Sequence, residues 1–240
     1  MALSSSASAA EVVALDDAEI LLEPWSWRFA LDRREEIARH FAKLQAGRPG
    51  VWNGRVLLLN RFAIRDRVLR GACFETDFAS LCALRDWMPA DAGAYNFFAA
   101  AALQAADGAY LVGEMASDTA AAGRIYFPCG TPEPDDIGAG GAFDLAGNLR
   151  RELLEETGIE AGELAAAPGW NLVRDRGFIG LLKRMTARQT ADELRRSILT
   201  NLAQQSRPEF TDIHIVRGPA DLDPRMPPFV VAFLEHAWRQ

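Results

Sequence analysis

The chain has 240 residues, 49% of them hydrophobic and 25% charged, and its formal net charge is −7. This length and composition predict one large domain, or one domain with a smaller appendage, and argue against two independent large domains. The acidic balance also argues against nucleic acid as a partner, because the chain has no overall excess of basic residues to displace counterions from a long polyanion. A small phosphorylated ligand is still compatible with this composition, since a bound metal ion and a few arginines make the electrostatic potential locally positive.

The three cysteines, Cys73, Cys82 and Cys129, form no Cys-x-x-Cys pair and always leave one unpaired. This pattern favours a reducing cytoplasm over a disulfide framework. The N-terminal residues Met1 to Ala10 lack the basic start and apolar stretch of a signal peptide. No segment reaches the ~20 apolar residues of a membrane helix, so we expect a soluble cytoplasmic protein with no membrane partner.

The first part of the chain predicts a flexible tail over residues 1–18 and an α+β extension over residues 19–95. Within the extension, apolar periodicity and the breaks at glycine and proline predict two helices and two strands. The predicted segments are a helix over Asp32–Leu44, strands over Val56–Leu59 and Phe62–Leu69, and a helix over Phe74–Trp87.

A second unit is predicted over residues 96–240. It begins with a β-hairpin, Phe97–Leu103 and Tyr110–Val112, with Asp107-Gly108 at its tip. Mixed strands and helices follow, which indicates a sheet covered by helices. The predicted segments are strands over Arg124–Phe127, Trp170–Arg174, Phe178–Arg184 and Phe210–Val216, and helices over Leu145–Glu156, Ala191–Leu202 and Phe229–Trp238.

The predicted helix Leu145–Glu156 carries an acidic face. Glu152, Glu155 and Glu156 stand at positions i, i+3 and i+4, so their carboxylates share one side of the helix. Like charges at this spacing weaken a helix unless a cation lies among them, and carboxylate oxygens suit Mg²⁺, or Mn²⁺ in its place. Asp144 is predicted as the N-cap of this helix and Gly158 as its C-terminal stop.

The same segment resembles the second half of the Nudix box, in which Arg-Glu, an aliphatic residue, any residue, Glu-Glu, any residue, glycine and an aliphatic residue follow one another. All seven defined positions match, in Arg151, Glu152, Leu153, Glu155, Glu156, Gly158 and Ile159. The first half departs from the pattern, because Ile137 and Phe143 stand where the family has a glycine and a glutamate. A shift of one residue instead places Gly138 and Asp144 there, with a loop one residue shorter.

This resemblance implies an α/β fold, a Nudix-like α/β/α sandwich with a mixed sheet, for residues 96–240. It implies a pyrophosphohydrolase that uses Mg²⁺ or Mn²⁺ to cut a phosphoanhydride bond. Asn53-Gly54 and the elements that follow are weakly similar to branches that act on nucleoside-diphosphate sugars, and the product would then be a nucleoside monophosphate. The extension is expected to cover the substrate or to form a homodimer interface.

The resemblance also assigns roles to residues. Glu152, Glu155 and Glu156 are the implied metal ligands, Glu152 is also a candidate base, and Arg151 is the cation that orients a carboxylate. A base from a later loop is the alternative, with Glu209, Asp212 and Glu193 as candidates. Arg124 and Gly130 are predicted to bind substrate, and Arg174 and Lys183 are further candidate phosphate contacts.

Two other functions are compatible with the sequence. One is cleanup of nucleoside triphosphates by a pyrophosphatase. The other is a non-catalytic, nucleotide-binding regulator that keeps the fold, for which the absence of a glutamate at Phe143 is the best support. Cys129 is expected to be a half-buried, inert thiol.

Overall fold

The structure is a computed structural model that describes residues 10–89, 92–175 and 177–240. In these ranges the chain forms eleven strands, six α-helices and three short 3₁₀ helices. The strands are β1 (Glu11–Leu15), β2 (Asp17–Leu22), β3 (Arg55–Arg65), β4 (Val68–Asp77), β5 (Asn96–Gln104), β6 (Tyr110–Met115), β7 (Ile125–Tyr126), β8 (Ala165–Ala166), β9 (Trp170–Asp175), β10 (Phe178–Thr186) and β11 (Phe210–Val216). The α-helices are α1 (Arg28–Asp32), α2 (Arg34–Gly47), α3 (Phe78–Trp87), α4 (Leu145–Thr157), α5 (Ala191–Leu202) and α6 (Pro228–Ala237).

A large mixed sheet in the order β1-β9-β10-β5-β6-β11 forms the centre of the fold. Strands β5 and β10 run parallel, and the other pairs along this path are antiparallel. Because side chains alternate along a strand, Ala99 and Ala101 of β5 face a core shared with α4, whereas Ala100 and Ala102 face a core shared with α6. Helix α5 packs on β11. The predicted α/β fold, with helices on both faces of a mixed sheet, is confirmed.

The extension contains a smaller sheet in the order β2-β4-β3, with α1, α2 and α3 beside it. Leu57 and Leu59 of β3 share a hydrophobic core with Leu149 and Leu153 of α4. The extension and helix α4 therefore share one hydrophobic core. The backbone N–H of Leu57 also donates to the carbonyl of Pro132, in the loop before that helix, at 2.8 Å.

The structure differs from the predicted tail. Residues 1–9 lie outside the described ranges, but β1 pairs antiparallel with β9 and β2 pairs parallel with β4. The tail prediction is wrong from Glu11 to Ala18. The segment is too short to show a clear period, and it is ordered by backbone hydrogen bonds to strands far along the chain.

The predicted helix Phe74–Trp87 is also corrected. Phe74 to Asp77 complete β4, with Phe74 and Thr76 buried and Glu75 exposed, and the helix begins at Phe78. The side chain of Asp77 accepts a hydrogen bond from the N–H of Ser80 at 2.7 Å, so it caps the helix at that point. Across the described ranges, none of the helices has the length and apolarity needed to cross a membrane.

Candidate active site

Helix α4 holds the acidic residues in a defined orientation. Its N-cap is Asp144, whose carboxylate accepts a hydrogen bond from the N–H of Gly147 at 2.8 Å. Its C-cap is Gly158, in the left-handed conformation at φ 74°. Leu145, Leu149 and Leu153 are buried in the core beneath the helix. The predicted caps and buried stripe are confirmed, and the acidic residues lie on the neighbouring face.

The three glutamates of this face have different environments. Glu152 and Glu156 are buried, with 7% and 1% of their surface exposed, whereas 57% of the side chain of Glu155 is exposed. Glu155 lies 3.3 Å from a guanidinium nitrogen of Arg151, one turn earlier on the helix. The structure thus brings two of the predicted ligands into the interior and leaves the third at the surface beside an arginine.

Glu156 is held by the backbone of the loop after β7. Its Oε2 accepts a hydrogen bond from the N–H of Cys129 at 2.8 Å. Its Oε1 is buried and has no hydrogen-bond partner among the described residues. Burial raises the pKa of Glu156 well above its ordinary value, and the nearby charges of Glu152 and Glu209 raise it further. A buried, unpaired carboxylate oxygen is costly, which indicates that a ligand belongs beside it.

Glu152 lies against the same loop. A Cβ atom at Gly130 would stand 2.0 Å from the carboxyl carbon of Glu152, so only glycine allows this approach. Oε1 of Glu152 lies 2.7 Å from Nη1 of Arg151. Burial raises the pKa of Glu152 to about 7, Arg151 lowers it, and Glu155 and Glu209 raise it. Gly130, predicted as a substrate contact, packs directly on a predicted metal ligand.

Asp136, which the sequence analysis did not single out, is the main anchor of Arg151. Nη2 of Arg151 donates to both carboxylate oxygens of Asp136, at 3.1 and 3.3 Å. Oδ2 of Asp136 also accepts from the N–H of Glu133 at 2.9 Å and from Nδ2 of Asn148 at 3.0 Å. An Asp-Asp pair in a loop carries no distinctive spacing. Asp136 stands fifteen residues before Arg151, so the helical spacing that relates Arg151 to Glu155 does not extend to it.

The three proposed later bases are separated by the structure. Asp212 pairs with Arg195 at 2.7 Å. Glu193 accepts hydrogen bonds from the backbone and hydroxyl of Thr190, which lower its pKa and use it as part of the cap of α5. Glu209 lies just before β11, and its charge raises the pKa of both Glu152 and Glu156. Glu209 is exposed to solvent, yet partial desolvation by the protein raises its pKa, and the charge of Glu155 raises it further.

The predicted phosphate contacts lie in different places. The guanidinium of Arg174 lies over the ring of Phe62, 5.5 Å from its centroid. Nζ of Lys183 donates to the carbonyl of Gly169 at 2.8 Å. Neither side chain is paired with a glutamate of α4 in these contacts. Arg124 is exposed and precedes β7, two residues before Tyr126. Burial raises the pKa of Tyr126 well above its usual value, with Cys129 and Glu156 as further causes, so this strand end adjoins the carboxylates.

A separate cleft lies in the extension. A cleft of about 610 Å³ opens within the extension, between its helices and its small sheet. Its walls include Trp25, Phe41 and Phe74, and none of the glutamates of α4 lines it. Size alone does not place the chemistry there, because the buried and mutually repelling carboxylates lie at α4.

The donor set fits a hard divalent cation by its chemistry. Glu152, Glu155 and Glu156 offer only oxygen, and one buried oxygen of Glu156 has no partner in the described ranges. As the side chains stand, the part of the chain that the structure describes holds no group of three or more His, Cys, Asp or Glu residues arranged around a metal position. In this arrangement Arg151 pairs with both Glu152 and Glu155.

Comparison with known proteins gives a likeness of fold. No protein-family model and no curated protein matches the sequence. Solved structures that resemble the chain include the MutT protein from Methanosarcina mazei Go1, with 15% identity and a TM-score of 0.37 over 60% of this chain and 94% of that one. The Nudix hydrolase RenU from M. smegmatis has 14% identity and a TM-score of 0.37 over 62% and 89% of the two chains. The E. coli ORF135 protein has 23% identity and a TM-score of 0.35 over 60% and 92%.

Nudix hydrolases are thus among the solved structures that this chain resembles. At these identities and TM-scores the likeness says nothing about activity. The function is therefore inferred from the side chains of the site.

Proposed function

We propose that the chain is a metal-dependent hydrolase that cuts the phosphoanhydride bond of a nucleoside diphosphate linked to another moiety, such as a sugar, and releases a nucleoside monophosphate. The observation that carries this proposal is the pair of buried glutamates on one helix, Glu152 and Glu156, with Oε1 of Glu156 unpaired within the described residues. Buried carboxylates that repel each other are stabilised by a cation, and a diphosphate brings its own charge that needs one.

The proposed cation is Mg²⁺, or Mn²⁺ in its place. Glu152 and Glu156 would hold it, and Glu155 would join them by leaving its exposed ion pair with Arg151. When bound, such an ion neutralises charge on the phosphates and makes water more acidic. Oxygen donors alone favour these ions over zinc, for which nitrogen and sulfur are the usual ligands.

Glu209 is the proposed general base. It belongs to a different segment from the two buried glutamates, and the protein around it raises its pKa, which brings a carboxylate closer to the range useful for accepting a proton near neutral pH. Glu193 and Asp212 are engaged in a helix cap and in an ion pair. Glu209 would accept the proton of the attacking water, and Arg151 would keep the carboxylate of Glu152 in place.

The substrate class rests on the sequence resemblance and on the placement of the extension. Leu57 of β3 is hydrogen-bonded to Pro132, two residues beyond Gly130, so the extension adjoins the loop beside Glu152. This position supports a role in covering the part of the substrate beyond the phosphates. Arg124, exposed at the start of β7, is the proposed phosphate contact.

The test is a panel of nucleotide sugars, dinucleotides and nucleoside triphosphates, incubated with the full chain and either Mg²⁺ or Mn²⁺. We expect release of a nucleoside monophosphate from a diphosphate-linked substrate, no release with EDTA, and no release by E156Q. Release of pyrophosphate from triphosphates alone would instead assign the triphosphate activity. Thermal stabilisation by nucleotides without turnover would assign a binding protein and overturn the proposal.

A further inference from the structure

The surroundings of Arg151 point to a residue that positions the site. Arg151 is flanked by three carboxylates, and its two terminal nitrogens divide between them. Nη1 reaches Glu152 at 2.7 Å and Glu155 at 3.3 Å, whereas Nη2 reaches both oxygens of Asp136. Two of these carboxylates flank Arg151 besides Glu152. Asp136 is buried and is held by further hydrogen bonds, whereas Glu155 is exposed.

Asp136 is fixed from two sides. The backbone N–H of Glu133, the N-cap of the 3₁₀ helix Pro134–Asp136, donates to it, and Nδ2 of Asn148 donates to it from the first half of α4. The carbonyl of Asp136 accepts from the N–H of Asp144, the N-cap of the same helix, at 2.8 Å. The loop and the helix therefore hold this carboxylate at one position, and an anchored carboxylate fixes a guanidinium better than a mobile one.

Phe143 does not supply such a carboxylate. Its side chain is buried in the core shared with α4, with its ring centroid 5.2 Å from that of Phe97. The departure from the box pattern is thus a core residue, and the negative partner of Arg151 comes from the loop instead.

We propose that Asp136 is a positioning residue for the metal site, an inference that rests on the proposed function. By holding Nη2 of Arg151, Asp136 leaves only Nη1 for Glu152, so one oxygen of Glu152 stays available to a cation. Without Asp136, the guanidinium is free to turn and bind both oxygens of Glu152 as a fork, which competes directly with a metal ion.

The experiment measures Mn²⁺ binding by calorimetry to the full chain without substrate, for D136N, R151K and the double variant D136N/R151K. We expect D136N to weaken Mn²⁺ binding about 10-fold, in line with other residues that orient metal ligands. R151K should weaken it similarly, because one ammonium group does not replace a guanidinium that reaches Asp136 through Nη2 and Glu152 through Nη1. The double variant should be no weaker than either single one. The matched control is D135N, because Asp135 is exposed and adjacent.

Kinetics provide a second readout. At a subsaturating Mn²⁺ concentration, D136N should lower kcat and leave the KM for the nucleotide unchanged, and saturating Mn²⁺ should restore most of kcat. A loss of folded enzyme would instead lower kcat at every Mn²⁺ concentration. If D136N does not fold, D136E takes its place in the cycle, with a smaller change in the same direction.

Wild-type affinity in the folded Asp136 variant would overturn the inference, and so would additive losses of about 100-fold in the double variant. A parent chain that neither binds Mn²⁺ nor hydrolyses any substrate would overturn the proposed function, and the inference with it. The two failures are distinguishable because the first leaves the parent active.

Discussion

The backbone N–H of Cys129 donates a 2.8 Å hydrogen bond to one carboxylate oxygen of Glu156, and the other oxygen is buried with no partner among the described residues. One interaction fixes the carboxylate, while the remaining lone pairs stay unsatisfied. A fold that keeps such a group loses stability in the absence of a ligand, which is typical of functional sites.

The variant E156Q should therefore be more stable than the parent chain without metal, and inactive. Glutamine keeps the acceptor for Cys129 but removes a buried charge that lies near Glu152 and Glu209. Thermal unfolding in EDTA should show a higher Tm for E156Q than for the parent, and Mn²⁺ should raise the Tm of the parent but not that of E156Q. E160Q, at an exposed position, is the control and should change neither Tm. A lower Tm for E156Q in EDTA would contradict this account.

The variant G130A should impair the site and the fold together. The new methyl group would meet the carboxylate of Glu152, with its nearest atoms at 2.0 Å, so the loop or the helix has to move. We expect a loss of about 1–3 kcal/mol in unfolding free energy, as is usual for overpacking, and a loss of kcat of up to about 10²-fold, which is what misplacing a reacting group by about 1 Å costs.

Denaturant titration and steady-state kinetics test this prediction. The matched control is G162A, where nothing lies within 4 Å of the added Cβ. If G130A behaves like G162A, then the close approach of the loop to Glu152 is not required.

A feature of this site can be predicted from the sequence when the residues that form it lie close together along the chain. Helix α4 is a local feature, since its caps, its leucine stripe and its acidic face lie within Asp144 to Gly158, and all were predicted. The burial of Glu156 and its contact with Cys129 join segments 27 residues apart. Helical or strand periodicity does not predict a contact between such distant segments. Asp136 was missed for the same reason, because it lies fifteen residues from Arg151.

The errors in the fold have the same origin. The helix predicted from Phe74 was placed four residues early because Phe74, Leu81 and Leu84 fit a helical stripe, while the alternation from Phe74 to Asp77 was too short to compete. The β3–β4 turn was missed because it uses Asp66 and Arg67 at φ 49° and 58°, where glycine or asparagine is usual. The strand β1 forms because β9 supplies the hydrogen-bond partners of its backbone. The five residues 11–15 are too few to predict that pairing.

The three candidate bases make a matched set for mutation. E209Q should lower kcat by about 10² to 10⁴, the usual range for a general base, with little change in the substrate KM. E193Q and D212N should retain kcat within a few-fold, because Glu193 caps α5 and Asp212 pairs with Arg195. The check is steady-state kinetics on whichever nucleotide the panel identifies. Full activity in E209Q, with a loss in D212N, would transfer the role to Asp212.

The buried cysteines give a prediction that is independent of the catalytic site. Burial raises the pKa of Cys73 from 9.0 to about 12 and that of Cys82 to about 11. Burial also raises the pKa of Cys129, with Glu156 as the next cause. Because the thiolate is the reactive form, iodoacetamide at pH 8 should label the native chain very slowly and label all three cysteines after denaturation.

The raised pKa values of Cys73 and Cys82 make the free energy of unfolding depend on pH in the alkaline range. A folded pKa above the unfolded one means that the folded state binds the proton more tightly, so this contribution is complete below about pH 9. It is lost progressively as the pH rises from about 9 towards 11 and 12, the folded values of Cys82 and Cys73. Urea unfolding between pH 8 and pH 10.5 measures this slope. In C82A the slope above pH 9 should be shallower than in the parent, because one thiol that titrates only after unfolding has been removed. An equal slope in both proteins would show that Cys82 is not buried as described.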